Sequence, residues 1–214
     1  MTEKQSAGHV SFPLERISGV IPPLQQADIV LIHIKKNLLR YLIRKVTNSY
    51  WDHTALILFT KDEKKERFCN LIMEAVWPKG IEIHKLDKYL IQPEKYDIGI
   101  KRVPDLTEAN RKNVIDFALM NVDALYYRLS LIKFGLAFIS KRFKKRFLRR
   151  QRYSCTGFVQ KAFYEAASID QRDKFVFRTD FLSPIEMQEI TTPADIAHSK
   201  NSKWIYNEKN GQVL

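Results

Sequence analysis

Apolar positions follow two rhythms along this chain. Up to about residue 101 they come in short, β-branched runs broken by charged or proline-containing turns. Such runs predict buried strands, here at residues 27–34, 51–60, 67–76, 81–86 and 96–101. The charged stretch KDEKKE at 61–66 joins the second and third strands as a hairpin. The alternation Gly80, Ile81, Glu82, Ile83, His84 suits a strand exposed on one side. The second rhythm recurs every three or four residues and predicts helices. Leu38, Leu39, Leu42, Ile43 and Val46 mark one over 35–49, ended by Asn48 and Ser49. Ile115, Ala118, Leu119 and Val122 mark another from Thr107 to Leu125. Ile132, Leu136, Ile139, Phe143 and Phe147 predict a long basic helix at 129–150, and Val159, Ala162, Phe163 and Ala166 a helix that starts at Cys155 and runs to Ala167. A last strand is expected around Trp204–Tyr206. The order predicts an α+β fold, a meander of antiparallel strands with helices beside it. Residues 1–24, punctuated by Gly8, Gly19 and Pro22-Pro23, read as an arm. Residues 25–214 then form one domain with a basic insertion at about 129–150.

Charge adds a partner class to this outline. The 214 residues carry a formal charge of +12, and nine Lys or Arg with no acid fall within 133–152. An anionic membrane surface, a nucleic acid or an acidic substrate would answer such a stretch, and its Phe residues beside Lys and Arg fit an interfacial helix. Equally, the stretch reads as a solvated basic face over a packed stripe. No motif that reads nucleic acid accompanies it. There is no apolar run long enough to span a bilayer and no secretory signal, so a cytoplasmic protein, peripheral to the inner membrane surface if bound at all, is expected. The two cysteines, Cys69 and Cys155, make no disulfide framework. No CxxC, HExxH, Walker A or GxGxxG pattern is present, so neither a metal nor an organic cofactor is expected.

The chemistry gathers at Cys155. Ser154 is a good N-cap, so Cys155 lies in the first helical turn, where unpaired N–H groups and the helix dipole favour a thiolate. Read plainly, it is a small apolar residue at a helix start. Cys69, mid-strand between Phe68 and Asn70 with no charge built around it, reads as structural. A nucleophilic sulfur needs an imidazole, and the imidazole an acceptor that orients it. A hairpin turn centred between Glu63 and Lys64 places His53 directly opposite Glu74 on one sheet face. A shift of two residues makes the pair diagonal but keeps the face; a shift of one separates them. Taken singly, His53 reads as a structural histidine and Glu74 as an exposed edge residue.

The order of these parts resembles a known family. SCTGFVQKAFYEA at 154–166 is similar to the nucleophile helix of NlpC-type cysteine peptidases, roughly D-C-S-G-[FL]-V. Here, however, the histidine precedes the cysteine. That order resembles the circularly permuted papain-like branch, which includes YiiX-like proteins, a poxvirus relative and the lecithin:retinol acyltransferase group. PLQQADIVLI at 23–32, SYWDHTALI at 49–57 and TPADIA at 192–197 resemble the YiiX-like pattern as well. The resemblance implies a permuted papain-like sheet or barrel packed on helices, with Cys155 as nucleophile, His53 as base and Glu74 as the orienting residue. It further implies a thiol hydrolase or acyltransferase that cleaves an amide or ester in a peptide, lipopeptide or acyl lipid through a thioester. A tyrosine often lines such sites, matched by Tyr126, Tyr127 or Tyr153; Tyr153, Tyr127 and Trp51 are the candidate substrate contacts. The alternative is a basic module, without catalysis, for an anionic membrane or nucleic acid. Ser154 stands where the family motif has Asp, and Ala27 where it has Gly.

Overall fold

In the computed structural model the described residues are 23–60, 70–76, 78–122, 153–178, 183, 189–210 and 212–213. The arm up to residue 22, the KDEKKE turn, Cys69, Tyr126, Tyr127 and the basic stretch at 129–150 lie outside them.

The described elements, in order, are β1 (Ile29–Ile34), α1 (Leu38–Thr47), β2 (His53–Phe59), β3 (Leu71–Val76), β4 (Gly80–Lys85), α2 (Asp87–Leu90), β5 (Tyr96–Arg102) and α3 (Glu108–Met120). They continue with α4 (Cys155–Ala166), a 3₁₀ turn (Ile169–Phe175), α5 (Pro193–His198), β6 (Lys203–Lys209) and β7 (Gln212–Val213). The α+β expectation holds. The strands form an antiparallel sheet in the order β4-β3-β2-β1-β5-β6-β7. The first four make the expected meander. β5 then crosses back to pair with the other side of β1, so the first strand becomes the centre of the sheet.

Strand alternation explains why β1 is apolar at consecutive positions from Ile29 to Ile32. Ile29 and Leu31 join Leu56, Leu58 and Met73 in a core shared with α3 and α4. Val30 and Ile32 face the other way, with Ala55, Ile57, Ile72, Ile98 and Ile100, and meet Tyr89 and Leu90 of α2. With both faces covered at these positions, both parities of β1 there are apolar. The predicted stripe of α4 is buried as expected, and Phe158 and Gln160 are buried too. Gln160 donates to Phe175 O at 3.0 Å and accepts from Phe177 N at 2.8 Å, which satisfies an amide the core could not otherwise hold. On α3 the inner stripe is Val114, Ile115 and Ala118, while Leu119 turns outward.

The short motifs flanking the core have structural tasks. Asp28 is buried and accepts from Arg102 Nε at 2.8 Å and from Gln25 N at 2.7 Å, closing the start of β1 against β5. Thr192 and Asp195 form a reciprocal capping box with Pro193 in the first turn of α5. The buried Lys101 ammonium takes the carbonyls of Ile196 and Ala197, both at 2.8 Å, and of Ser199 at 3.0 Å, which ties α5 to the sheet. Burial brings that ammonium down to about 8.

Gly99 of β5 sits where two indoles meet. A Cβ there would lie 2.7 Å from Trp204 and 2.8 Å from Trp51, both side-chain ring atoms. Overpacking of this kind costs about 1–3 kcal/mol. Gly99→Ala should lower the unfolding free energy by that amount, read as a lower urea midpoint at unchanged slope; an unchanged midpoint would show that the two rings can part freely.

Candidate active site

Cys155 begins α4, as the helical pattern predicted. Ser154 is extended and its hydroxyl accepts from Gly157 N at 2.9 Å. A cap of this kind satisfies one first-turn donor and leaves others without a helical carbonyl. Tyr153 fixes the approach to this turn. Its ring is buried edge-on against Phe158, and its hydroxyl donates to Asn121 Oδ1 at 3.1 Å, at the C-terminal cap of α3. The helix tip meets the start of β2, where the Thr54 and Thr156 hydroxyls lie 3.4 Å apart.

His53 is the first residue of β2 and is buried. Its Nε2 donates to Glu74 Oε2 at 2.5 Å. The direct opposition expected from the hairpin does not occur. Leu56 pairs with Met73 and Ile57 with Ile72, so the pairing numbers sum to 129, and a bulge follows at Leu58. Beyond the bulge Phe59 pairs with Leu71, a sum of 130, so the one extra residue on β2 moves the register by one and leaves it two positions from the symmetric 127. Glu74 therefore stands across from Ala55, and His53 reaches it diagonally on the same face. Even displacement preserved the pair; an odd one would have removed it.

Glu74 is fully buried, not an exposed edge residue. Four side chains hold its two oxygens. Oε2 receives His53 and the Tyr89 hydroxyl at 2.6 Å, while Oε1 receives His84 Nδ1 at 2.7 Å and Lys88 Nζ at 2.9 Å. Burial alone would raise the carboxyl, but His53, Tyr89 and Lys88 together hold it well below the usual carboxylate range. Burial and the facing carboxylate push the Tyr89 phenol far up, so it stays a donor.

His84, Lys88 and Tyr89 were not singled out by sequence. The alternation in β4 predicts only a half-exposed strand, and the four-residue α2 carries no periodic signature. A signal was nevertheless present. Pairing across the Pro78–Gly80 turn places Glu74 opposite Glu82, so His84 is the diagonal neighbour of Glu74 on the same face.

The other imidazole nitrogen, Nδ1, is buried with no nitrogen or oxygen partner. The Cys155 sulfur lies near enough to act on the ring, and the two groups fix each other's charge. Burial pushes the imidazole down, but the Cys155 sulfur and then Glu74 more than reverse this and raise it to about 9. Burial pushes the thiol up, but the His53 imidazolium outweighs it, helped by the charge of Arg40 and the Thr156 hydroxyl, and the thiol falls to about 6. Between those values the pair carries a thiolate and an imidazolium.

A sequence profile described as permuted papain-like amidase enzyme, YaeF/YiiX, matches residues 23–206. The chain belongs to this family. Its membership supports a hydrolase of the cysteine amidase class. Among solved structures it is similar to the metalloprotein yiiX from Escherichia coli O157:H7, with a TM-score of 0.57 and 16% identity over 87% of this chain and 99% of that one. At that identity the likeness concerns the permuted papain-like fold. No curated protein matches the chain in sequence. Metal is part of the yiiX description; among the described residues of this family member, no three His, Cys, Asp or Glu groups converge to hold an ion. Around Glu74 the imidazole nitrogens are already directed at the carboxylate oxygens.

Of the aromatic candidates, Trp51 is buried, with its indole centroid 5.9 Å from that of Trp204. Tyr153 is likewise a packed ring. Tyr127 lies outside the described residues.

The charge pairing has a direct readout. Iodoacetamide should alkylate Cys155 with a rate that rises through about pH 6, well below the ordinary thiol value of about 8.5. In His53→Ala the rise should move to the ordinary thiol range. An unshifted profile in that variant would mean that the imidazole does not hold the thiolate.

Proposed function

We propose that this amidase-family protein cleaves an acyl amide or ester with Cys155 as nucleophile, His53 as acid and base, and Glu74 as orienting carboxylate. The observation that carries this reading is the buried chain from Glu74 through His53 to the sulfur at the tip of α4. The Cys155 thiolate adds to the carbonyl carbon. The resulting oxyanion lies at the helix N-terminus, where the Cys155 N–H and the dipole stabilise it. Collapse of this adduct breaks the bond to the amine or alcohol, and the His53 Nδ1 proton goes to that leaving group. A thioester to Cys155 remains. Neutral His53 then takes a proton from water as it attacks the thioester, and the acid leaves with restoration of thiolate and imidazolium. An alcohol or amine in place of water would make the same steps an acyl transfer.

Throughout this cycle Glu74 keeps Nε2 occupied, so only Nδ1 exchanges protons. The many donors on Glu74 prevent the carboxylate from taking the proton itself. Tyr89, Lys88 and His84 thus act at one remove, by positioning the carboxylate.

The test uses p-nitrophenyl acyl esters and acyl-amino-acid p-nitroanilides of increasing chain length. Cys155→Ala should abolish turnover with the urea midpoint retained. His53→Ala should lower kcat by roughly 10²–10⁴-fold, the usual worth of a positioned acid–base group. Wild-type kcat/KM should be bell-shaped, falling below about 6 as the thiolate is protonated and above about 9 as the imidazolium is lost. Turnover that survives Cys155→Ala would overturn the proposal.

A further inference from the structure

Helix α1 is mounted inside out. A surface helix ordinarily turns its apolar stripe to the core. On α1, Leu38, Leu39, Leu42 and Val46 are 76%, 51%, 50% and 43% exposed, and the helix has no buried residue. Its inner side is the polar one. Arg44 pairs with the buried Asp52 carboxylate and donates to Ile34 O at 3.0 Å, and Arg40 donates to Asp52 O at 3.0 Å. Asn37 caps the first turn, and Asn48, in the left-handed region, closes the last, so the helix is well formed without a core contact. Two arginines hold it in place and present four large aliphatic side chains outward.

We propose that this outward face of α1 docks onto an anionic lipid surface and brings the Cys155 end of the molecule to it. Charge decides among the occupants. Residues 35–47 carry five cations and no acid; Arg40 and Arg44 face inward and Lys35 pairs with Asp97, which leaves Lys36 and Lys45 as the exposed cations beside the stripe. The segment 133–152, with nine Lys or Arg and no acid, is repelled by such a helix, and a second copy of a chain with net charge +12 is repelled likewise. An anionic partner is required. Nucleic acid would meet the exposed lysines but has no use for Leu38, Leu39, Leu42 and Val46 side by side. A lipid surface takes both, apolar side chains into the acyl boundary and cations at the phosphates.

The coupling to the site is short. Arg40 is close enough for its charge to lower the Cys155 thiol, and Asp52, which anchors α1, is followed immediately by His53. Docking through α1 therefore sets the nucleophile beside the surface. This deepens the proposed function by naming its substrate class as a membrane-held acyl amphiphile; the docking itself does not depend on that reading.

The experiment is co-sedimentation of the full chain with phosphatidylcholine vesicles with and without phosphatidylglycerol, wild type against Leu38→Glu/Leu42→Glu. Both positions are exposed, so the variant should keep its urea midpoint and its Cys155 alkylation rate. Wild type should bind the phosphatidylglycerol vesicles, more weakly at high salt, and the variant should lose at least tenfold in affinity. Equal binding by both proteins would place the lipid contact elsewhere, in the basic segment 133–152, and overturn the proposal. So would absence of binding by wild type. In that case a lowered midpoint in the variant would assign the face to residues 1–22, and a dimer lost in the variant would assign it to a second copy. Loss of turnover on soluble esters in wild type with vesicle binding intact would count against the hydrolase and leave the docking standing.

Discussion

A buried carboxylate surrounded by four donors is the constraint from which the active-site geometry follows. Glu74 lies within the sheet, away from water, and a lone ionised carboxylate there would be costly. His53, Tyr89, His84 and Lys88 remove that cost by converging on its two oxygens. They come from three stretches of chain: His53 from β2, His84 from β4, and Lys88 and Tyr89 from α2. Satisfying the charge thus locks three neighbouring elements around one point. Removing a single partner would leave the others with an undersatisfied ion, which is why such networks resist piecemeal change. The imidazole ring is one of the four, so its orientation is set by the needs of the carboxylate.

The sulfur gains from the same low-dielectric setting. Desolvation disfavours both the thiolate and the imidazolium when each is considered alone. Together they stabilise each other, and burial strengthens their attraction. Helix α4 supplies the position, with Ser154 closing its first turn and Tyr153 pinned to Asn121 behind it. Rigid packing of Phe158, Val159 and Phe163 then keeps the tip from drifting away from β2. A sulfur borne on a packed helix and an imidazole borne on a central sheet are held by elements that do not bend easily.

Not every residue in a family-like motif serves the chemistry. Asp28, in the opening stretch, binds Arg102 across the sheet, and Asp195, in the closing stretch, caps α5. Asp52, beside the histidine, anchors α1 through Arg44. These three acids hold the ends of strands and helices around the core. Asp28 and Asp52 are buried and Asp195 is partly so, and the dedicated partner each carboxylate takes fixes where its element begins.

The linear order of residues determined a good deal. Runs apolar at consecutive positions marked β1 and β2, because both faces of the sheet are covered. The stripe of α4 and the Ser154 cap located the helix start, since both are local. Parity put His53 and Glu74 on one face, and parity survives any even shift. The tertiary structure decided what pattern cannot encode. A register two positions from the symmetric turn made the pair diagonal, and the one-residue bulge at Leu58 returned it to even parity, because register depends on hydrogen bonds made across the hairpin and not on the spacing of either strand. The convergence of His84, Lys88 and Tyr89 on Glu74 arose from β4 and α2 packing beside β3, a contact between segments that carry no shared periodicity. The stripe on α1 was legible as amphipathic, yet its direction was not: periodicity says that one face differs from the other, and only the pairing of Arg44 with Asp52 says which of them turns inward.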